Sequence, residues 1–201
     1  MRFNFTGTDG AKMISKYFAY LKELIDSMEL DAEIIADEIF NCIKNGNSIW
    51  IMGNGGSAST AEHFETDLSY VRMGIDFPKV KVAALSSNSA IVTAIANDIG
   101  YENIFSHQLH RKASKGDVCI FISASGNSPN LLKAAQTAKD LGLISIGILG
   151  FDGGKLAFDV DYLAIVRTEI GKYGPVEDMH LAICHELTGL IAQRLLAMNE
   201  G

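Results

Sequence analysis

Three glycines and three hydroxyl residues crowd into "GNGGSAST", Gly53 to Thr60, and His63 and Asp67 follow closely. His63 and Asp67 are four residues apart, so on a helix they share one face. An imidazole beside a carboxylate can move a proton or help hold a divalent cation. The same spacing also describes an ordinary surface pair, and Arg72 is a further partner for Asp67. The glycines let a ligand approach bare backbone amides, and Ser57, Ser59 and Thr60 add hydroxyl donors. The device recurs in "SASGNSPN", where Ser123, Ser125 and Ser128 surround Gly126 and Asn127. One such loop is usually a tight turn with a cap. Two at equivalent strand ends favour a bound anion, and a small phosphorylated ligand fits best. Gly53, Gly55 and Ala58 also match a G-x-G-x-x-A dinucleotide fingerprint. That fingerprint needs a carboxylate ending the second strand about 20 residues on. Here that strand ends "ALSSNSA", and Asp76 precedes it.

The elements that must position these loops are legible. "SIWIM" (48–52), "VKVAAL" (80–85), "VCIFIS" (118–123), "ISIGIL" (144–149) and "YLAIV" (162–166) are short, mostly unbroken apolar runs. Such runs suit strands buried on both faces, as in a parallel sheet. Helical patterns at 58–69, 88–98, 101–113 and 129–141 lie between them. The alternation predicts an α/β fold with a doubly wound, mostly parallel five-stranded sheet. Two helices precede the sheet: one carries Ile14 to Met28 with Asp9 as cap, and the second is capped by Asp31 and ended by Gly46. A long helix from Val176 to Met198 closes the chain. The whole, 1–201, reads as one domain, with residues 1–46 packing on the sheet or on another subunit.

The chain has 201 residues, 48% of them hydrophobic, and a net charge of −7. That balance argues against nucleic acid or an anionic membrane as partner. No run approaches the roughly 18 consecutive apolar residues of a membrane span. Cys42, Cys119 and Cys184 are scattered in apolar surroundings and read as buried thiols in a reducing compartment, the cytoplasm. His107 and His180 read as helix-surface residues, and Cys184 as core.

"GNGGSAS…H…D", "AIANDIGYENIF", "SASGNSPNLLKAA" and "GFDGGKLA", in this order, resemble the sugar isomerase (SIS) domain, and more narrowly the phosphoheptose isomerase family. The resemblance covers nearly the whole chain. It implies conversion of sedoheptulose 7-phosphate to D-glycero-D-manno-heptose 7-phosphate in a homotetramer, with one Zn²⁺ per site. It assigns phosphate binding to Ser57 in the first loop and to Ser123, Ser125 and Ser128 in the second, where Ala124 is also substrate-binding. It assigns sugar contacts to Asn54, Gly55, Gly56, Asn97, Asp98 and Glu177. The implied metal set is His63, Asp67, Glu177 and His185, with Asp67 as base and His185 as acid or base. Two positions depart from the family: Asp67 stands for the usual Glu, and Glu177 for the usual Gln. A non-catalytic relative that binds sugar phosphate, as a regulator or as a partner of the replication initiator, is the alternative. Read from spacing alone, Glu177 and His185 lie about 12 Å apart on a regular helix. They can reach one ion only if Glu177 sits at or before the helix start.

Overall fold

The computed structural model describes residues 8–71 and 78–199. Five strands, β1 Ser48–Gly53, β2 Lys81–Ala84, β3 Val118–Ser123, β4 Ile144–Gly150 and β5 Tyr162–Val166, form one sheet. Their spatial order is β2-β1-β3-β4-β5, and every pairing is parallel. β3 is buried at every residue and β4 at all but its first. Their sequences therefore show no polar alternation. The chain winds from β1 outward to β2, then returns to build β3, β4 and β5 on the other side. The carboxyl ends of β1 and β3 are thus the topological switch point, where open α/β sheets bind ligands.

The helices are α1 Thr8–Ser27, α2 Ala32–Lys44, α3 Gly56–Tyr70, α4 Ser89–Ile99, α5 Ser106–Lys112, α6 Pro129–Leu141 and α7 Tyr173–Asn199. Successive strand residues face opposite layers. Ile120 and Ile122 pack with Ile35 and Ile39 of α2, Phe64 of α3, and Ile183 and Leu187 of α7. Cys119 and Phe121 pack on the other face with Ile95 of α4, Leu109 of α5, and Leu131 and Ala134 of α6.

Asp31 caps α2 by accepting from the Ile34 N–H at 3.3 Å. Asp9 lies within α1, not ahead of it. Arg72 and Asp76 lie outside the described residues. The helix expected over 101–113 is two pieces: a 3₁₀ turn, Tyr101–Asn103, follows Gly100 at φ 97°, and α5 starts only at Ser106. α7 begins at Tyr173, three residues before the expected start. Pro175 is tolerated there because first-turn amides have no intrahelical partner. By length and composition α7 could cross a membrane; here its Val176, Ile183, Leu187, Ile191 and Leu195 are buried in the protein. All three cysteines are free and buried, and burial pushes the Cys42 thiol up to about 12. His180 differs from the surface reading: it is fully buried, and among the described residues neither ring nitrogen has a hydrogen-bond partner of good geometry. On α1, Phe18 and Ile25 remain exposed.

Candidate active site

The two glycine–serine loops meet at the switch point. A cavity of about 200 Å³ lies between them, lined by Asn54, Ser57, Ile122, Ser123, Ala124, Ser125, Ser128, Tyr173 and Glu177. α3 and α6 both begin at its rim, and neither has a side-chain cap. Their first-turn amides and dipoles offer positive potential to an anion. Ser128 occupies the cap position of α6 with its carbonyl bonded to the helix but not its side chain, so its hydroxyl remains available to a ligand. Ser123 and Ser125 hydroxyls shape their loop by accepting from the amides of Gly126 at 3.0 Å and Asn127 at 3.3 Å. Among the described residues, Glu177 is the only charged one lining the cavity.

The segment after β4 braces the serine loop from behind. Leu156 N–H donates to the Gly126 carbonyl at 3.0 Å, and Lys155 N–H to Asn127 Oδ1 at 3.1 Å. Gly126 has φ +59°, and a Cβ there would stand 1.9 Å from the Gly153 carbonyl oxygen. Only glycine allows this contact. Gly56 serves a second close approach: a Cβ on it would lie 2.6 to 2.7 Å from the Glu177 carboxylate. Glu177 thus stands over the first turn of α3.

Further along the same two helices, three side chains converge. His63 Nε2 and His185 Nε2 are 3.2 Å apart. Asp67 Oδ1 lies 3.5 Å from His63, and Asp67 Oδ2 lies 3.6 Å from His185. Asp67 is half-buried and the two imidazoles are exposed. Zn–N bonds of about 2.0–2.1 Å at tetrahedral angles imply nitrogen atoms about 3.3 Å apart. The donor types and their spacing therefore suit Zn²⁺. Glu177 lies outside this group. Because α7 starts at Tyr173, Glu177 is already inside the helix, and the regular rise keeps it about 12 Å from His185 along the axis. Three of the four expected metal ligands are brought together, and the fourth faces the serine cavity.

Asn97 and Asp98 are exposed on α4, bonded to each other at 2.9 Å, and line no part of this cavity. Gly55 and Gly56 sit at its rim, at the start of α3. Glu65, another carboxylate on α3, accepts the Ala84 N–H at 3.0 Å and is tied to the end of β2. Sequence reasoning assigned no role to Tyr173, Tyr101 or Asn130. Tyr173 lines the cavity and packs edge-on against Phe151. Tyr101 and Asn130 both bond the side chain of Asn54. Asn130 sits in the conspicuous "SASGNSPN", and Tyr101 in "AIANDIGYENIF", but neither segment shows that the two side chains meet at Asn54.

A family model described as SIS domain matches residues 14–150. The chain is 37% identical over 191 residues to the phosphoheptose isomerase of Trichlorobacter lovleyi, covering 95% of this chain and 96% of that one. It is 37% identical over 177 residues to the phosphoheptose isomerase of Chlorobaculum parvum, covering 87% and 84%. Among solved structures, the phosphoheptose isomerase of Neisseria gonorrhoeae superposes with a TM-score of 0.80 at 26% identity, covering 90% of this chain and 97% of that one. The Francisella tularensis phosphoheptose isomerase gives 0.80 at 27%, covering 93% and 100%. Two helix N-termini meeting over a serine cavity, with a His–Asp–His group further along α3 and α7, thus occur in a chain that belongs to the SIS domain family, among the phosphoheptose isomerases.

Proposed function

We propose that this protein is an aldose–ketose isomerase converting sedoheptulose 7-phosphate to D-glycero-D-manno-heptose 7-phosphate. The observation that carries the reading is one of placement: a hydroxyl-lined cavity lies at the starts of α3 and α7, and a His–Asp–His group lies further along the same two helices. Ser57, Ser123, Ser125 and Ser128 hold the phosphate with the amide ends of α3 and α6. Asn54, Gly55, Gly56 and Glu177 meet the sugar beyond it, and Asn97 and Asp98 remain candidates for contacts made outside this cavity. Asp67 takes the proton from C1 of the ketose and delivers one to C2. His185 moves the hydroxyl proton between O1 and O2, so that the enediol formed collapses to the aldehyde. His63, Asp67 and His185 would hold a Zn²⁺ ion. When bound, it supplies Lewis-acid stabilisation of negative charge on the sugar oxygens.

The phosphoheptose isomerases similar over nearly the whole chain support this substrate. A purely binding relative has no use for three converging titratable groups, which weighs against the non-catalytic alternative. We place the enzyme in the cytoplasm as a homotetramer. The exposed Phe18 and Ile25 of α1 and Ile34 of α2 are apolar surface that subunit contacts would bury. A monomeric mass in light scattering at micromolar concentration would refute the assembly. The function is tested by incubating the protein with sedoheptulose 7-phosphate, with and without Zn²⁺, and following the aldose product. Failure to form it under either condition refutes the proposal.

A further inference from the structure

Asn130 is 1% exposed, the second residue of α6, and makes two hydrogen bonds to one partner. Asn54 Nδ2 donates to Asn130 Oδ1 at 3.0 Å, and Asn130 Nδ2 donates back to Asn54 Oδ1 at 2.8 Å. Tyr101 adds a third bond, its hydroxyl donating to Asn54 Oδ1 at 3.0 Å. The partners lie on different elements: Asn54 follows β1, Asn130 opens α6 after β3, and Tyr101 lies in the 3₁₀ turn after α4.

An asparagine side chain offers one oxygen with two lone pairs and two N–H donors. In Asn54 both lone pairs are taken, and one N–H is committed to Asn130. One N–H is left, on a half-buried side chain that lines the serine cavity. The doubled amide bond also fixes the plane of the group, since rotating or flipping Asn54 breaks two or three bonds at once. Asn130 itself is absent from the serine-cavity lining; it borders a neighbouring cavity of about 390 Å³ on the far side of Asn54, together with Tyr101 and Ser128.

We propose that Asn130, aided by Tyr101, is a positioning residue that locks the Asn54 amide so that it presents a single N–H donor to an oxygen of the bound sugar. The inference rests on the isomerase reading and deepens it: that same site selects a ligand with an acceptor oxygen at this point. The buried pair also clamps the two anion loops across the switch point.

The test is a double-mutant cycle on kcat/KM for sedoheptulose 7-phosphate, using Asn54→Ala, Asn130→Ala and the double variant. Thermal unfolding of each variant shows that every assay is run on folded protein. Asn130→Ala is expected to lower kcat/KM by about 10- to 100-fold, the usual effect of a misplaced contact group. In the Asn54→Ala background the same change is expected to do nothing further, within about twofold. Losses that multiply would mean that Asn130 only supports the fold, and would overturn the proposal. If Asn130→Ala does not fold, Tyr101→Phe gives the same cycle from an exposed position, with an expected loss of about 2- to 10-fold that vanishes without Asn54. Full activity of Tyr101→Phe and Asn130→Ala would likewise overturn it. A wild type with no turnover on the ketose overturns the isomerase reading itself, and this inference with it. Multiplying losses in an active enzyme overturn the inference alone.

Discussion

Glu177→Gln keeps the side-chain shape against Gly56 and removes the one charged side chain that lines the serine cavity among the described residues. A cavity of about 200 Å³ is about 7 Å across if spherical, so a phosphate inside it lies within about 7 Å of the carboxylate. Two unit charges 7 Å apart repel by about 2.4 kcal/mol at an effective dielectric of about 20. Glu177 is half-buried, and water reaching it screens the repulsion to about half that value. The phosphate carries a charge of about −1.5 to −2, which restores the total to about 2 kcal/mol. Glu177→Gln is therefore expected to bind inorganic phosphate or a non-reactive phosphorylated polyol about 10- to 30-fold more tightly. Isothermal titration calorimetry at fixed salt reads this directly. If Glu177 also contacts the reacting sugar, turnover falls while affinity rises, so kcat and Kd part company. Unchanged or weaker phosphate binding by the folded variant would refute the reasoning, because no phosphate could then lie beside that carboxylate.

Asp67→Asn and His185→Gln are each expected to lower kcat by about 10²–10⁴, the range of a general acid–base contribution, with smaller changes in substrate affinity. Steady-state kinetics checks this, and retention of activity within a few fold would assign the proton transfer elsewhere. Gly126→Ala forces a side chain into a positive-φ position and against the Gly153 carbonyl. Denaturant unfolding should show at least about 2 kcal/mol of lost stability. Burial holds the His180 imidazole down at about 4, against an ordinary 6.5. As pH falls below 6.5, the unfolded chain takes up a proton that the folded chain refuses until about pH 4. Its contribution is complete above pH 6.5 and lost progressively down to about pH 4, by roughly 3 kcal/mol in total. His180→Leu should remove that part of the slope in unfolding curves measured across this range.

The parts of the fold set by local rules were readable. β3 and β5 end where the sequence places them, because their apolar runs stop at Ser123 and Val166. α6 runs over the expected 129–141, between a serine–proline start and a left-handed glycine at Gly142. Where two local rules compete, the reading slipped. The apolar pattern predicts α7 from Val176, but a helix tolerates proline in its first turn, and the element starts at Tyr173, ahead of Pro175. His180 carried no mark separating it from a surface histidine, since only the packing of α7 buries it. His63 and Asp67 are visible as a pair because they are neighbours in one helix. His185 joins them across 122 positions, and Asn130 meets Asn54 across 76, separations that no local pattern encodes.

The placement of Glu177 shows how a helix start decides chemistry. The contacts Gly56–Glu177 and His63–His185 occur in the same order on both helices, so α3 and α7 run side by side in the same direction. The two contacts are separated by seven residues on α3 and eight on α7. At about 1.5 Å per residue, that is about 10 to 12 Å. Helical side chains lean toward the N-terminus. The two imidazoles therefore reach back toward the serine cavity, and the distance a substrate must bridge is shorter than the separation of the Cα atoms. On the proposed function, one end of the site would recognise charge with fixed dipoles and neutral hydroxyls. The other end gathers groups that exchange protons or hold a cation. A ligand engages both only if its phosphate and its carbonyl are separated by several carbons. On the proposed function, selection by chain length would then follow from the helical rise itself, before any hydroxyl of the sugar is read.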